Sequence, residues 1–226
     1  MSKNLKLSLI IASVFTVVVG TLFLLSRPDN APAPSANGPV QGPVAGTSAE
    51  RLIRPDSHKL SAPTSSKVTV VEFLDLECEA CRAAFPGVEK LREEYGDRVT
   101  FVMRYFPVPA HKNAELAARS VEAAFKQDKL EAMYRKMYET QESWGDQRVD
   151  HRNTFLGFAR ELGLDMAKFE KDLDDPATLD RVVKDRTDGT ALGVRGTPTF
   201  FINGTQFTGR PSYDGLKAAI DQALGQ

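Results

Sequence analysis

The segment Asp75-Leu76-Glu77-Cys78-Glu79-Ala80-Cys81-Arg82 ("DLECEACR") holds both cysteines of a 226-residue chain, three positions apart and crowded by carboxylates. Just before it, "KVTVVEFLDL" (67–76) is a short, β-branched, nearly continuous apolar run, the pattern of a strand buried on both faces. Just after it, the pattern is a helix that opens at the cysteines and runs to about Tyr95, with a kink expected at Pro86. The pair therefore sits where a buried strand hands over to a helix N-terminus.

Three readings compete for such a pair. A structural disulfide closing so small a loop is the least effective kind, worth roughly 2 kcal/mol in the chain-entropy model. A tetrahedral zinc site needs two more ligands; no third cysteine exists, and His58, His111 and His151 lack ligand spacing. A redox pair has a mechanism here. The thiolate is the attacking species, and unpaired amides and the dipole at a helix N-terminus stabilise it. Cys78 is then the attacking sulfur, and Cys81, one turn in and more buried, resolves the mixed disulfide.

Further along, "VTFVMRYFPV" (99–108) reads as a second strand, stopped by Pro107 and Pro109. A helical block follows, over about 110–192. In it Leu130, Met133, Tyr134, Met137 and Tyr138 share one helix face, and Phe155, Phe158, Ala159 and Leu162 share another, closed by Gly163. Both stripes are expected in the core, as is Trp144 at a helix junction. Asp175 and Pro176 form an N-cap and N1 pair. "TPTFFING" and "TQFTG" are strands joined at Asn203-Gly204, a hairpin signal, and a last helix puts Leu216, Ala219, Ile220 and Ala223 on one side. The order predicts an α/β fold: a central mixed sheet flanked by helices, with an all-helical insertion.

"VEFLDLECEACRAAFP" (71–86) and "GVRGTPTFFINGT" (193–205) resemble the active-site segment and the cis-proline loop of thioredoxin-fold proteins. With the helical insertion between them, the chain is similar to the DsbA-like branch, specifically its membrane-anchored bacterial type. The resemblance covers about residues 55–226. It implies a thioredoxin-like fold and a thiol–disulfide oxidoreductase with Cys78 as nucleophile and Cys81 as resolving cysteine. It also implies a cis Pro198 against the site, with Gly196 and the Thr197 backbone meeting an extended substrate by strand addition. Glu72 matches the family's buried acid, which relays a proton to the resolving cysteine. One departure stands out. Strong oxidants of the family carry proline and histidine between the cysteines; here the dipeptide is Glu79-Ala80, with Glu77 and Asp75 also close. Negative charge disfavours a thiolate, so Glu77, Glu79 and Ala80 are expected to tune the pair toward a weaker oxidant.

The N-terminus differs from the rest. Leu7 to Ser26 is free of charge, long enough at 1.5 Å per residue to span about 30 Å of hydrocarbon, and preceded by Lys3 and Lys6. No small-x-small cleavage site follows closely. Residues 1–27 are thus expected as a cytoplasmic N-terminus and transmembrane signal anchor, and 28–50 as a linker rich in proline, glycine and alanine. Residues 51–226 are the folded domain, held outside the cytoplasm. With 29 basic and 30 acidic residues there is no charge footprint for nucleic acid. No metal and no cofactor beyond the Cys78–Cys81 disulfide is expected. The expected partners are exported cysteine-containing proteins and a membrane or extracytoplasmic protein that resets the redox state. Dithiol oxidation is the favoured direction. Isomerase or reductase action at the same site, and a non-catalytic tethered chaperone, are the alternatives.

Overall fold

The computed structural model describes residues 47–225. The anchor expected over 1–27 and most of the linker expected over 28–50 lie outside the described residues. Among the described residues no helix is long and apolar enough to cross a membrane. Among the described residues the first helix is α1 (Thr47–Leu52), whose first four residues fall in the segment expected as linker.

The central sheet has the order β1-β3-β2-β4-β5, with β1 (His58–Ser61), β2 (Val68–Leu74), β3 (Val99–Tyr105), β4 (Thr199–Ile202) and β5 (Thr205–Gln206). Only β2 and β3 run parallel; every other pair is antiparallel, so the sheet is mixed, as expected. Both long strands stop short of their expected ends. The Asp75 carboxylate accepts the Glu77 amide and the Asp75 carbonyl accepts the Cys78 amide, which turns the chain out of β2. The strand β1, "HKLS", was not predicted. It is short and mostly polar, and only its pairing with β3 makes it a strand.

Between β2 and β3 runs α2 (Glu79–Tyr95), one continuous helix across Pro86. The insertion comprises α3 (Ala114–Phe125), α4 (Leu130–Thr140), a 3₁₀ turn (Gln141–Ser143), α5 (Arg152–Glu161), α6 (Met166–Asp174) and α7 (Pro176–Ala191); α8 (Tyr213–Leu224) closes the chain. Asp175 caps α7 by accepting the Ala177 amide, and the β4–β5 turn places Asn203 and Gly204 at positive φ.

Alternation along β2 sorts its side chains between two cores. Val68 and Val70 pack with Val88 and Leu91 of α2 and with Leu216 and Ile220 of α8. Val71 and Phe73 face the other way, toward Leu192, Val194 and Phe201. There α7 comes so close that a Cβ on Gly189 would lie 2.8 Å from the Phe106 ring and 2.9 Å from Phe73. A third cluster joins the cysteines to the insertion. It contains Met133, Tyr134, Met137 and Tyr138, and Trp144 edge-on to Phe155 at 4.9 Å. Both aromatic stripes are core, as their periodicity predicted.

Candidate active site

The turn out of β2 delivers Cys78 to the N-cap of α2 with extended backbone (φ −71°, ψ 122°), while Cys81 sits one turn in and is almost fully buried. Both are free thiols, so the structure shows the dithiol form. The insertion grips this turn from above. Gln141 Nε2 donates to the Leu76 carbonyl (2.7 Å) and the Cys78 carbonyl (3.1 Å), and the Tyr138 hydroxyl donates to the Asp75 carbonyl (3.3 Å).

The chain then returns from a distance of more than a hundred residues. The Thr197–Pro198 peptide is cis, and the Cys78 thiol donates to the Thr197 carbonyl at 3.4 Å. Thr197 and Pro198 are half-buried and Gly196 is exposed; the Thr199 hydroxyl closes the turn on the Gly196 carbonyl at 2.7 Å. This loop leads directly into β4, whose first residue pairs with Phe73 of β2. Sheet pairing is therefore what brings Pro198 to the cysteines.

The two sulfurs are electrostatically unlike. Cys78 is lowered to about 5: the hydrogen bond from Cys81 leads, burial opposes it, and the Thr197 side chain and the backbone amides of Cys81 and Ala80 add to it. Burial pushes Cys81 well above the ordinary thiol range, reinforced by its hydrogen bond to Cys78 and by the charges of Cys78 and Glu72. Glu72 shares the β2 face that looks toward α2. It is buried and raised to about 8, first by desolvation and then by the charges of Glu89 and Cys78. At neutral pH the arrangement is one thiolate, one held thiol and one neutral carboxyl beneath them.

The acids around the pair behave differently from one another. Glu77 is buried, and its carboxylate accepts the Asn113 amide at 2.6 Å. Glu79 and Ala80 are exposed and border a cavity of about 290 Å³ shared with Glu77, Cys78, His111 and Asp146. The Arg82 guanidinium turns outward to Glu142 (2.5 Å). Ala80 thus acts on Cys78 through its amide rather than its side chain. Asn113 and Gln141 of this site escaped the sequence reading; Asp75 was read only as an acid close to the pair, and His111 chiefly as a helix-start residue. One signal was available for His111. It follows the end of β3, and the C-terminal ends of adjacent parallel strands lie side by side.

Comparison with known proteins places this geometry. A family model described as Thioredoxin matches residues 63–222. The Na(+)/H(+) antiporter NhaA of Herminiimonas arsenicoxydans is 34% identical over 165 residues, covering 73% of this chain and 25% of that protein. The chain thus spans about a quarter of the length of the curated relatives it matches. Among solved structures, a thioredoxin-like oxidoreductase from Silicibacter pomeroyi superposes with a TM-score of 0.67 at 27% identity, covering 80% of this chain and 99% of that one. Alpha-DsbA1 of Wolbachia pipientis gives a TM-score of 0.70 at 21% identity over 80% of this chain and 96% of that one, a likeness of fold.

Proposed function

The chain belongs to the thioredoxin family, and from that premise we propose that its folded domain is a DsbA-like thiol–disulfide oxidoreductase that oxidises dithiols in exported proteins. The observation that carries the reading is Cys78 at a helix N-cap, 3.4 Å from the carbonyl before a cis-proline, with Cys81 buried one turn behind it.

The steps follow from the two sulfurs. A client thiolate attacks Cys78 Sγ of the oxidised pair; the Cys78–Cys81 bond breaks and its electron pair goes to Cys81, which takes a proton. The second client thiolate then attacks the client sulfur of the mixed disulfide and releases Cys78 as a thiolate. Two electrons pass from client to protein. Cys78 leaves readily because its thiolate is stabilised, and Cys81 takes its proton readily because burial disfavours its anion. Glu72, neutral and beneath the pair, is the group that hands on that proton. Gly196 and Thr197 offer backbone for an extended client segment.

The oxidising direction is supported by the value near 5 at Cys78. A stabilised thiolate favours the reduced protein, and hence an oxidising disulfide. The value lies above the roughly 3.5 of the strongest oxidant of this kind, in keeping with the missing histidine between the cysteines. Residues 1–27 are proposed to anchor the domain in the membrane with its catalytic face outside the cytoplasm, where disulfides persist. A resetting partner in or near that membrane completes the cycle. Relatives named as antiporters, in which a similar domain is a quarter of the chain, lend support to work beside a membrane.

The test is a Cys81→Ala protein expressed in its full-length form. It is expected to accumulate mixed disulfides with clients through Cys78, and Cys78→Ser to reduce exchange to the uncatalysed rate. Absence of adducts together with unchanged client disulfides in Cys78→Ser would leave the tethered-chaperone reading. A reduction potential near that of thioredoxin would reverse the direction. Recovery of the mature protein as a soluble species lacking its first 30 or so residues would remove the anchor.

A further inference from the structure

His111 follows the end of β3, in the loop that the parallel pairing of β2 and β3 sets beside the Cys78 turn. Its Nδ1 lies 2.7 Å from Asp75 Oδ2, and the Asp75 side chain is wholly inaccessible while that of His111 is about one-third exposed (31%). Asp75 is itself fixed: Oδ1 accepts the Glu77 amide at 2.8 Å, and Oδ2 also accepts the Val108 amide at 2.7 Å. A buried carboxylate thus orients the imidazole, whose ring borders the same cavity as Cys78.

We infer that His111, oriented by Asp75, holds the second proton of each catalytic cycle and forms an imidazolium–thiolate pair with Cys78 when the disulfide is reduced. This rests on the thiol–disulfide exchange reading. The balance is complete: a client with two thiols, the Cys78–Cys81 disulfide and neutral His111 become a client disulfide, the Cys81 thiol, the Cys78 thiolate and protonated His111. Two electrons move from client sulfurs to protein sulfurs. One proton rests on Cys81 and one on His111, and both leave when the pair is reoxidised.

The surroundings support a proton at this place. Asp75 is bonded to the ring, and the titratable and charged residues lining the two cavities that His111 borders are Glu77 from the turn after β2, Cys78 and Glu79 from the start of α2, Asp146 and Arg148 from the loop after the 3₁₀ turn, and Lys112 from its own loop. The carboxylates outnumber the fixed cations, so the field favours a charged ring. Burial disfavours that charge, but the hydrogen bond and charge of Asp75, then the charges of Cys78 and Glu77, raise His111 above the ordinary imidazole value. Coupling between two sites is mutual, so what the thiolate does for the imidazolium the imidazolium does for the thiolate. The acids expected to oppose the thiolate therefore act on a histidine that favours it. Histidine is the side chain in this set that changes charge near neutral pH.

The chain has three histidines, which makes a direct titration practical. Ring resonances of the full-length protein are followed against pH in the oxidised and the reduced form. The other two rings are told apart by their partners: His58 is paired with Glu122, and His151 is bonded to Thr154 and Gln147. His111 is expected to titrate about one pH unit higher in the reduced form. Identical titration in both forms overturns the inference. His111→Gln keeps a donor for Asp75 but cannot be charged; it is expected to raise Cys78 by about one unit, read as thiolate ultraviolet absorbance, with the melting temperature preserved. An unchanged Cys78 in that variant also overturns it. If the variant does not fold, the wild-type titration decides alone. Both forms are prepared with small-molecule oxidant and reductant, so a protein that fails to oxidise client peptides defeats the exchange reading without touching this measurement.

Discussion

Two buried acidic sites lie on opposite faces of the same pair of strands, and they have opposite fates. On β2, Glu72 faces α2 beneath the cysteines and is raised to about 8 by desolvation. One residue on, Phe73 pairs in register with Arg104 of β3, which faces α7 on the other side. Arg104 is inaccessible to solvent; it donates to Asp185 at 2.6 Å, to Asp188 at 2.7 Å, and to the carbonyls of Arg51 and Leu52 at 2.6 Å each. Arg54 reaches Asp188 from outside (2.5 Å), and burial of Asp188 is outweighed by the hydrogen bonds of Arg54 and Arg104, so its carboxyl falls below the ordinary range. Burial is similar at the two sites. The presence of a guanidinium decides whether the carboxylate is a fixed charge that ties α1 to α7 or a neutral group free to pass a proton.

The contrast can be broken most forcefully from the paired side. Arg104→Met takes one of the two guanidiniums from Asp185, leaving it Arg181 and the Tyr105 amide, and leaves the Arg51 and Leu52 carbonyls without their donor; it is expected to cost about 3–5 kcal/mol in a urea titration. A loss below about 1 kcal/mol would mean the cluster holds little together.

The unpaired side is sharpened by pH. Between the ordinary carboxylate value of 4.5 and about 8, the folded state keeps a proton on Glu72 that the unfolded chain has lost. Stability of the reduced protein therefore falls as pH rises through that window, by roughly 5 kcal/mol over its full width. Glu72→Gln is expected to flatten this slope and to slow client turnover. Asp188 works with the reverse sign: its contribution is complete above the unfolded carboxylate value and is lost as pH falls through its lowered folded value. A variant slope equal to that of wild type would place the raised group elsewhere.

The smallest effect is expected at Glu79. Its side chain is exposed and screened, so Glu79→Gln should move Cys78 by less than about 0.3 pH unit and leave stability unchanged. A larger shift would restore the tuning role that the sequence suggested for it.

Legibility in the sequence follows the range of the interactions. The cysteine pair at the start of α2, the cap at Asp175-Pro176, the Asn203-Gly204 turn and the Met/Tyr stripe of α4 were readable because each is set by neighbours within a few residues. The strand β1 was not, because "HKLS" has no apolar alternation of its own and becomes a strand by pairing with β3. Glu77 and Glu79 looked equivalent in sequence; tertiary packing buries one against the Asn113 amide and leaves the other in water.

By itself, the sequence determined that a strand ends at two cysteines opening a helix, that a proline loop and hairpin follow the helical block, and that the acids of the motif flank Cys78. Those are local facts of spacing and backbone preference. Only the tertiary structure decided which acids carry charge, that Asp75 serves a histidine from a different loop, and that Arg104 ties α1 to α7. The physical reason is that a side chain's protonation depends on the dielectric and the partners around it, and these are assembled by the parallel pairing of β2 with β3 and by the helices laid over them.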